Sequence, residues 1–420
     1  MKSHPIFAVA GAAALVLSLV GCAGGGSSAG NATTIEFQTG QAVDSAFLAK
    51  LTTITKAYEK QHSGVTVKLV PSTATYEADI KVRLASGNVP DIWWTHGWSL
   101  ARYSKFLTPL QNEPWAKYFN PALAPAMKNS AGQFFAFPVD TDVAGIVYNK
   151  DVLAAANVNV ADLTSWDAFG TAAAKIKAAG VSPIVVSGKA NGPAGNLTDW
   201  IAPGAYTESQ LAQLKKGSFI DAPYTKALSL IASWKKDGFF NPDYVSATGD
   251  DMSRALATGK AAFVFSQNTT VNEALRYDPK ANLGYFPVPS LTGATPYLIG
   301  GEMNAFGISK TSKRVSDAKA YIAYLATPAN AAVLAKAAGS IPGLTNVTPD
   351  LGALKSSYDS VIVPKKFPLV PYFDRVYLPN GMWNTMVTTT DSVITGGQAN
   401  VSGSVTTVSK DFSRLYKQAQ

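Results

Sequence analysis

The pattern of apolar and polar positions divides the chain into a leader, a spacer and a long body of alternating elements. Ile6 to Val20 is an apolar run rich in Ala, Leu and Val behind the positive Lys2, and it stops at Leu19-Val20-Gly21-Cys22. A run this short, with small residues at its end, reads as a secretion signal rather than a spanning helix. The stretch after Cys22, Ala-Gly-Gly-Gly-Ser-Ser-Ala-Gly, buries no apolar surface and reads as a flexible tether. Thr33 to Phe37 then alternates and is β-branched, which predicts a strand. Ala46 to Gln61 has helical spacing, Val65 to Val70 is a second strand closed by Pro71, Tyr76 to Ser86 is a helix stopped by Gly87, and Asp91 to Trp94 is a short buried strand. This βαβαβ rhythm predicts an α/β lobe with a largely parallel sheet.

Further along, Phe134 to Tyr148 contains strand-like runs. Ser165 to Ala179 reads as a helix with Thr164 or Ser165 as N-cap, Ser182 to Ser187 as a strand, and Tyr224 to Lys236 as a helix ending before Gly238. A helix over Asp250 to Thr258 precedes a strand at Ala261 to Phe265. Val315 to Ala338 is Ala-rich and helical, broken at Thr327-Pro328, and Ser356 to Val363, Asn384 to Thr395 and Ser402 to Gln418 also read as helices. No internal repeat is evident, and no apolar run after the leader is long enough to span a bilayer.

Composition narrows the function. Beyond the leader and tether, roughly 390 residues predict two domains or one interrupted pair. Apolar residues make up 47% of the chain and charged ones 15%, with a net charge of +8. The basic residues are dispersed and form no helix face, which argues against nucleic-acid binding; the mild positive charge suits an anionic envelope. Cys22 is the single cysteine, so there is neither a disulfide framework nor a thiolate metal site. The three His do not cluster, and no metal or cofactor is expected. Eight Trp and seventeen Tyr offer flat apolar faces with polar edges, which suit sugar rings.

Several stretches resemble the family of bacterial extracellular solute-binding proteins typified by maltose- and other oligosaccharide-binding proteins. Leu84-Ala85-Ser86-Gly87-Asn88-Val89-Pro90-Asp91-Ile92 resembles the family's LASGxxPDI element. Phe137-Pro138-Val139 leading to Tyr148-Asn149-Lys150-Asp151, Ser165-Trp166-Asp167-Ala168-Phe169, Gly259-Lys260-Ala261-Ala262-Phe263, and Gly300-Gly301-Glu302 through Ile308-Ser309-Lys310 follow in the family's order. Leu19-Val20-Gly21-Cys22 closely resembles the bacterial lipobox, in which the Cys is diacylated and the peptide is cut before it. Two features depart from the pattern. The lead-in to Trp166 is Asn157-Val158-Asn159-Val160-Ala161-Asp162-Leu163-Thr164-Ser165, and Ser266-Gln267-Asn268 replaces an aromatic, which implies a more polar floor in the second lobe.

The resemblance implies a two-lobe periplasmic-binding-protein-like fold of type II, α/β, each lobe a mixed, mostly parallel sheet flanked by helices. It implies a signal peptide over 1–21, a lipidated Cys22 and tether over 22–32, a first lobe from 33–142 and 303–344, and a second from 143–302 and 345–420. The chain would cross near Asp142 to Ile146, return near Glu302 to Phe306 and cross again near Ile341 to Thr348. It implies a monomeric, lipid-anchored receptor outside the cytoplasm that closes on a carbohydrate and presents it to the permease subunits of an ABC importer, without catalysis.

Binding groups are expected at strand ends and loops facing the cleft. In the first lobe these are Gln38, Thr39 and Gln41 after the first strand, Tyr76 at a helix start, and His96 and Trp98 after the third strand. Trp98 is the preferred stacking residue, because alternation sends Trp93 and Trp94 to opposite faces and at least one into the core. Asp140 and Asp142 flank Thr141 on one face of an extended segment and are placed to accept vicinal hydroxyls; a structural role paired with Arg83 or Arg102 is the competing reading. In the second lobe the candidates are Trp200 in a loop, Gln267 and Asn268, Gly300 and Gly301 as points of backbone approach, Glu302, and Trp383 ahead of a helix, with Tyr372 and Arg375 as weaker candidates. Three other functions fit parts of the pattern: a receptor for an amino acid, a polyamine or a chelated metal; a secreted glycoside hydrolase using Asp140 and Asp142; and a sensory receptor component of the same fold.

Overall fold

The computed structural model describes residues 33–419 apart from 73–74, 96–98 and 191. The expected anchor Cys22 and the candidates His96 and Trp98 lie outside the described residues.

The first lobe is built on β1 (Thr33–Gln38), β2 (Val65–Val70) and β3 (Ile92–Trp94). The helix Ala46–Gln61 joins β1 to β2. Ser45 caps it by accepting from the Leu48 amide, and Phe47, Leu48, Leu51, Ile54 and Tyr58 recur at helical spacing on its buried face. The helix Tyr76–Ser86 joins β2 to β3 and ends on Gly87, whose φ of 76° lies in the left-handed region that a glycine adopts without strain. Two crossovers through helices leave β2, β1 and β3 parallel.

The chain then runs through β4 (Phe137–Pro138) and β5 (Asp140–Thr141) into the second lobe, whose sheet comprises β6 (Ile146–Asn149), β7 (Ser182–Ile184), β8 (Ala261–Phe265) and β9 (Leu283–Phe286). It returns through β10 (Leu298–Gly300) to β11 (Ala305–Ile308), leaves again at β12 (Ile341–Pro342), and adds β13 (Leu369–Pro371) before the C-terminal helices Met382–Gly396 and Val401–Gln418. Among the described residues the sheet orders are β2-β1-β3-β11-β4 and β7-β8-β6-β9.

Both sheets are mixed. Within these two sheets the parallel pairs are those of β2-β1-β3 and β7-β8, while β11 runs against β3 and β4, and β6 against β8 and β9. The antiparallel members include β6 and β11, the strands that arrive from the other lobe. They enter from the crossing side, against the direction set by helical crossovers. The buried side chains fall into matching groups. One core draws on residues 35–139 and 305–347. Two others draw on 143–299 and 351–412.

Candidate ligand-binding site

The backbone crossings are stitched to one another where the two sheets meet. The first and return crossings run side by side: Val139 N donates to Asn304 O (2.9 Å), Asp142 N to Gly301 O (2.8 Å) and Ala144 N to Ile299 O (2.9 Å). The third lies against the first through β12 and β5, with Ile341 opposite Thr141. Extended backbone alternates its side chains, and the acids at 140 and 142 therefore share a side.

Asp140 and Asp142 are fully buried and occupied by protein donors. Asp140 Oδ1 accepts from the amides of Met303 (2.9 Å) and Asn304 (3.0 Å), and Oδ2 accepts from Asn304 Nδ2 (2.6 Å). Asp142 accepts from Ser340 Oγ (2.6 Å) and from the Tyr372 hydroxyl. The first crossing is thereby tied to the return crossing, the third crossing and the C-terminal segment. Neither acid pairs with Arg83 or Arg102, which bind Glu36 and Glu77 instead.

Glu302 differs. It is equally buried, yet neither carboxylate oxygen has a hydrogen-bond partner. Arg375 donates to the Glu302 main-chain carbonyl (2.6 Å) and lies 3.9 Å above the centre of the Tyr372 ring. Burial pushes the Glu302 carboxyl up to about 7 against the pull of Arg375. Asp140 is raised to about 7 by burial and by the neighbouring Asp142, with the Asn304 and Met303 hydrogen bonds opposing. Behind them, Asp199 accepts from the Asp374 amide (2.9 Å). Burial raises Asp374 to about 6 despite Arg375 and Arg102, and raises Asp199 well above the ordinary range.

The remaining candidates separate by what they touch. Gln41 Nε2 donates to Asn304 Oδ1 (2.7 Å), placing it one hydrogen bond from Asp140. Asn268 is buried beside the first crossing, with Nδ2 3.5 Å from Val143 O and its amide oxygen unpartnered; Gln267 next to it is half-buried. Trp383 is half-buried against the helix Pro193–Ile201, where a side chain at Gly195 would meet its ring at 3.1 Å.

Six candidates are occupied by protein neighbours that the sequence did not reveal. Gln38 accepts from Arg83 Nη1 (3.0 Å), Thr39 is buried and bonds the Val70 carbonyl (3.2 Å), and Tyr76 is buried with its hydroxyl on Trp94 O. The glycines do not open backbone to a ligand: the space over Gly300 is filled by Leu369, and over Gly301 by the Tyr372 ring at 2.6 Å. Trp200 is not in a loop. It sits in the helix Pro193–Ile201, fully buried, with Nε1 donating to Gly145 O (2.9 Å). Pro193 opens that helix, and Gly195 and Asn196 follow in its first turn, a local run of residues that reads as a loop.

Sequence reasoning missed Trp94, Asn304 and Ser340. Trp94 is half-buried, packs over Gly40 and donates Nε1 to Met303 O (3.0 Å). Asn304 carried a weak signal, an amide side chain two residues from Glu302 and directly before the strand Ala305–Ile308. A hollow of about 880 Å³ between the helices Trp166–Ala178 and Asp221–Asp237 contains none of the candidates.

A receptor hinged on stitched crossings, with an unengaged acid where they meet, is the class of protein that this arrangement defines. The chain belongs to the bacterial extracellular solute-binding protein family, whose model matches residues 53–357. It is a binding protein and not an enzyme. It is 30% identical over 342 residues to the melibiose/raffinose/stachyose-binding protein MelE of Bacillus subtilis, covering 79% of this chain and 78% of that one. Among solved structures it is similar to the binding protein MsmE of Bacillus subtilis in an open conformation, with a TM-score of 0.81 and 27% identity over 93% of this chain and 99% of that one. A Bacillus licheniformis sugar transporter in complex with stachyose gives a TM-score of 0.79 and 26% identity over 91% of this chain and 100% of that one. The expected periplasmic-binding-protein-like fold and the solute-receptor function are both borne out.

Proposed function

We propose that this receptor takes up an oligosaccharide bearing an α-linked galactose, holds it between its lobes, and hands it to the permease of an ABC importer while moored to the outer face of the membrane through Cys22. Melibiose, raffinose and stachyose, the sugars in the name of the Bacillus subtilis relative, share a galactose joined through its anomeric carbon to a primary hydroxyl. The lobes are 33–142 with 303–344, and 143–302 with 345–420, hinged at the three crossings. The observation that carries the reading is the Glu302 carboxylate, buried where the crossings meet and free to accept two hydroxyl donors. Gln41, Gln267 and Asn268 add amide donors and acceptors around a polyol rim. Trp94, Trp98 and Trp383 supply aromatic faces for the C–H patches of the rings, and His96 a further polar contact.

A thermal-shift screen tests this directly, because a ligand that binds the folded state alone stabilises it by RT ln(1 + [L]/Kd). Melibiose, raffinose and stachyose at millimolar concentration should raise the midpoint, and maltose and spermidine should not. A rise with spermidine alone would assign the acids to a polycation; no rise with any of the galactosides would end the proposal.

A further inference from the structure

Away from the crossings, one of the contacts between the two lobes runs through a guanidinium. Arg102 lies in the segment after β3, beside Tyr103, which packs with Tyr76, Ile80, Trp93 and Leu107 of the first lobe. Its Nη1 forms a 2.6 Å ion pair with Glu77, and the Tyr103 hydroxyl donates to the same Glu77 oxygen at 3.1 Å. One edge of the guanidinium is thus fixed by its own lobe. Nε and Nη2, on the other edge, both reach Asn380 Oδ1, at 3.2 and 2.6 Å.

Asn380 belongs to the opposite body. Leu378 and Met382, two residues to either side, are buried in the second-lobe core. The turn Pro379-Asn380-Gly381 is held by Met382 N bonding Pro379 O (3.2 Å), and Gly381 has a φ of 100°, which favours glycine. The contact thus joins a preset fork on one lobe to a preset turn on the other, and it is lost when the lobes part. The segment that presents Arg102 follows Trp98, and the turn that presents Asn380 precedes Trp383.

We propose that Arg102 is a positioning residue for solute retention: anchored on Glu77, it clasps Asn380 in the closed protein and sets how long a bound solute stays. The inference rests on the solute-receptor reading but not on the identity of the sugar. Such a clasp stabilises the closed form, which the free protein also samples, so it acts on the dissociation rate more than on capture. Arg suits the role because its planar donors are already arranged in a fork, whereas Lys offers a point charge.

Stopped-flow tryptophan fluorescence with raffinose as the probe, on the full chain, gives both rate constants. Arg102→Ala and Asn380→Ala should each raise the dissociation rate about tenfold, the size expected of a hydrogen bond to a charged group. The association rate should stay within about twofold. Asn380→Asp, which replaces a neutral acceptor with a carboxylate, should slow dissociation below that of the parent protein. Asn380 is exposed, so its variants keep the fold if Arg102→Ala does not. Small-angle scattering without sugar separates the two levels of the argument: Asn380→Ala should shift the free protein toward larger dimensions whatever the solute proves to be. Failure of raffinose to bind, with that shift present, would refute the sugar assignment and keep the clasp. Unchanged dissociation or unchanged dimensions in both Asn380 variants would overturn the clasp.

Discussion

Asp140 and Asp142 on the first crossing and Glu302 on the return crossing are acids of equal burial with opposite surroundings. The first two accept from Met303, Asn304, Ser340 and Tyr372; the third accepts from nothing. Removing a carboxylate from water is costly unless donors replace the lost hydration. Where the donors are present, the acid works as a strut that joins strands from distant parts of the chain. Where they are absent, the acid is left ready for a guest that brings hydroxyls. The fold thus uses one chemical group for two purposes and distinguishes them by its hydrogen-bond donors.

Three experiments would break or sharpen the contrast. Asp140→Ala is expected to have the largest effect, because it strands two backbone amides and the Asn304 amide in a buried setting. A loss of about 3 kcal/mol or more in urea unfolding is the expected outcome. A cost below about 1 kcal/mol would mean that Asp140 braces nothing. Next, Glu302→Gln should weaken sugar binding by about 10- to 100-fold by titration calorimetry, the range for a charged hydrogen bond. Undiminished affinity would remove Glu302 from the site.

The smallest effect is on pH dependence. Asp140 and Glu302 at about 7, and Asp374 at about 6, all stand above their ordinary values of 3.8 to 4.5. The folded chain therefore holds protons that the unfolded chain has released. Stability from these groups is complete below pH about 4 and is lost as pH rises through about 6 to 7. The melting midpoint should fall between pH 5 and 7.5. In Glu302→Gln the fall should be shallower, so that the variant gains on the parent protein as pH rises. Identical slopes would show that Glu302 does not titrate in that window.

Much of the fold was legible because local rules and tertiary packing agree. The helix Ala46–Gln61 carries its cap, its apolar stripe and its stop in adjacent residues, and the break at Thr327-Pro328 separates the helices Val315–Leu325 and Pro328–Ala337 as expected. The expected helix over Ser356 to Val363 is present as an unbroken helical run over 355–365, which widens to a π-helix at Tyr358–Ile362 ahead of Pro364. The site was legible by region but not by role. Alternation put Asp140 and Asp142 on one side, yet Ser340 and Tyr372 lie 198 and 230 positions from Asp142, beyond anything that spacing reveals. The glycine pair was visible; that it makes room for Leu369 and Tyr372 rather than for a sugar depends on a segment some seventy residues away.

The insertion of β11 between β3 and β4 also governs the timing of assembly. The middle of the first sheet cannot be completed until residues 305–308 have left the ribosome, long after β1 to β4. Contacts so remote in sequence form slowly. For a protein whose family works outside the cell, that delay is useful: the nascent polypeptide stays threadable through a translocase, and its final zippering waits for the far side.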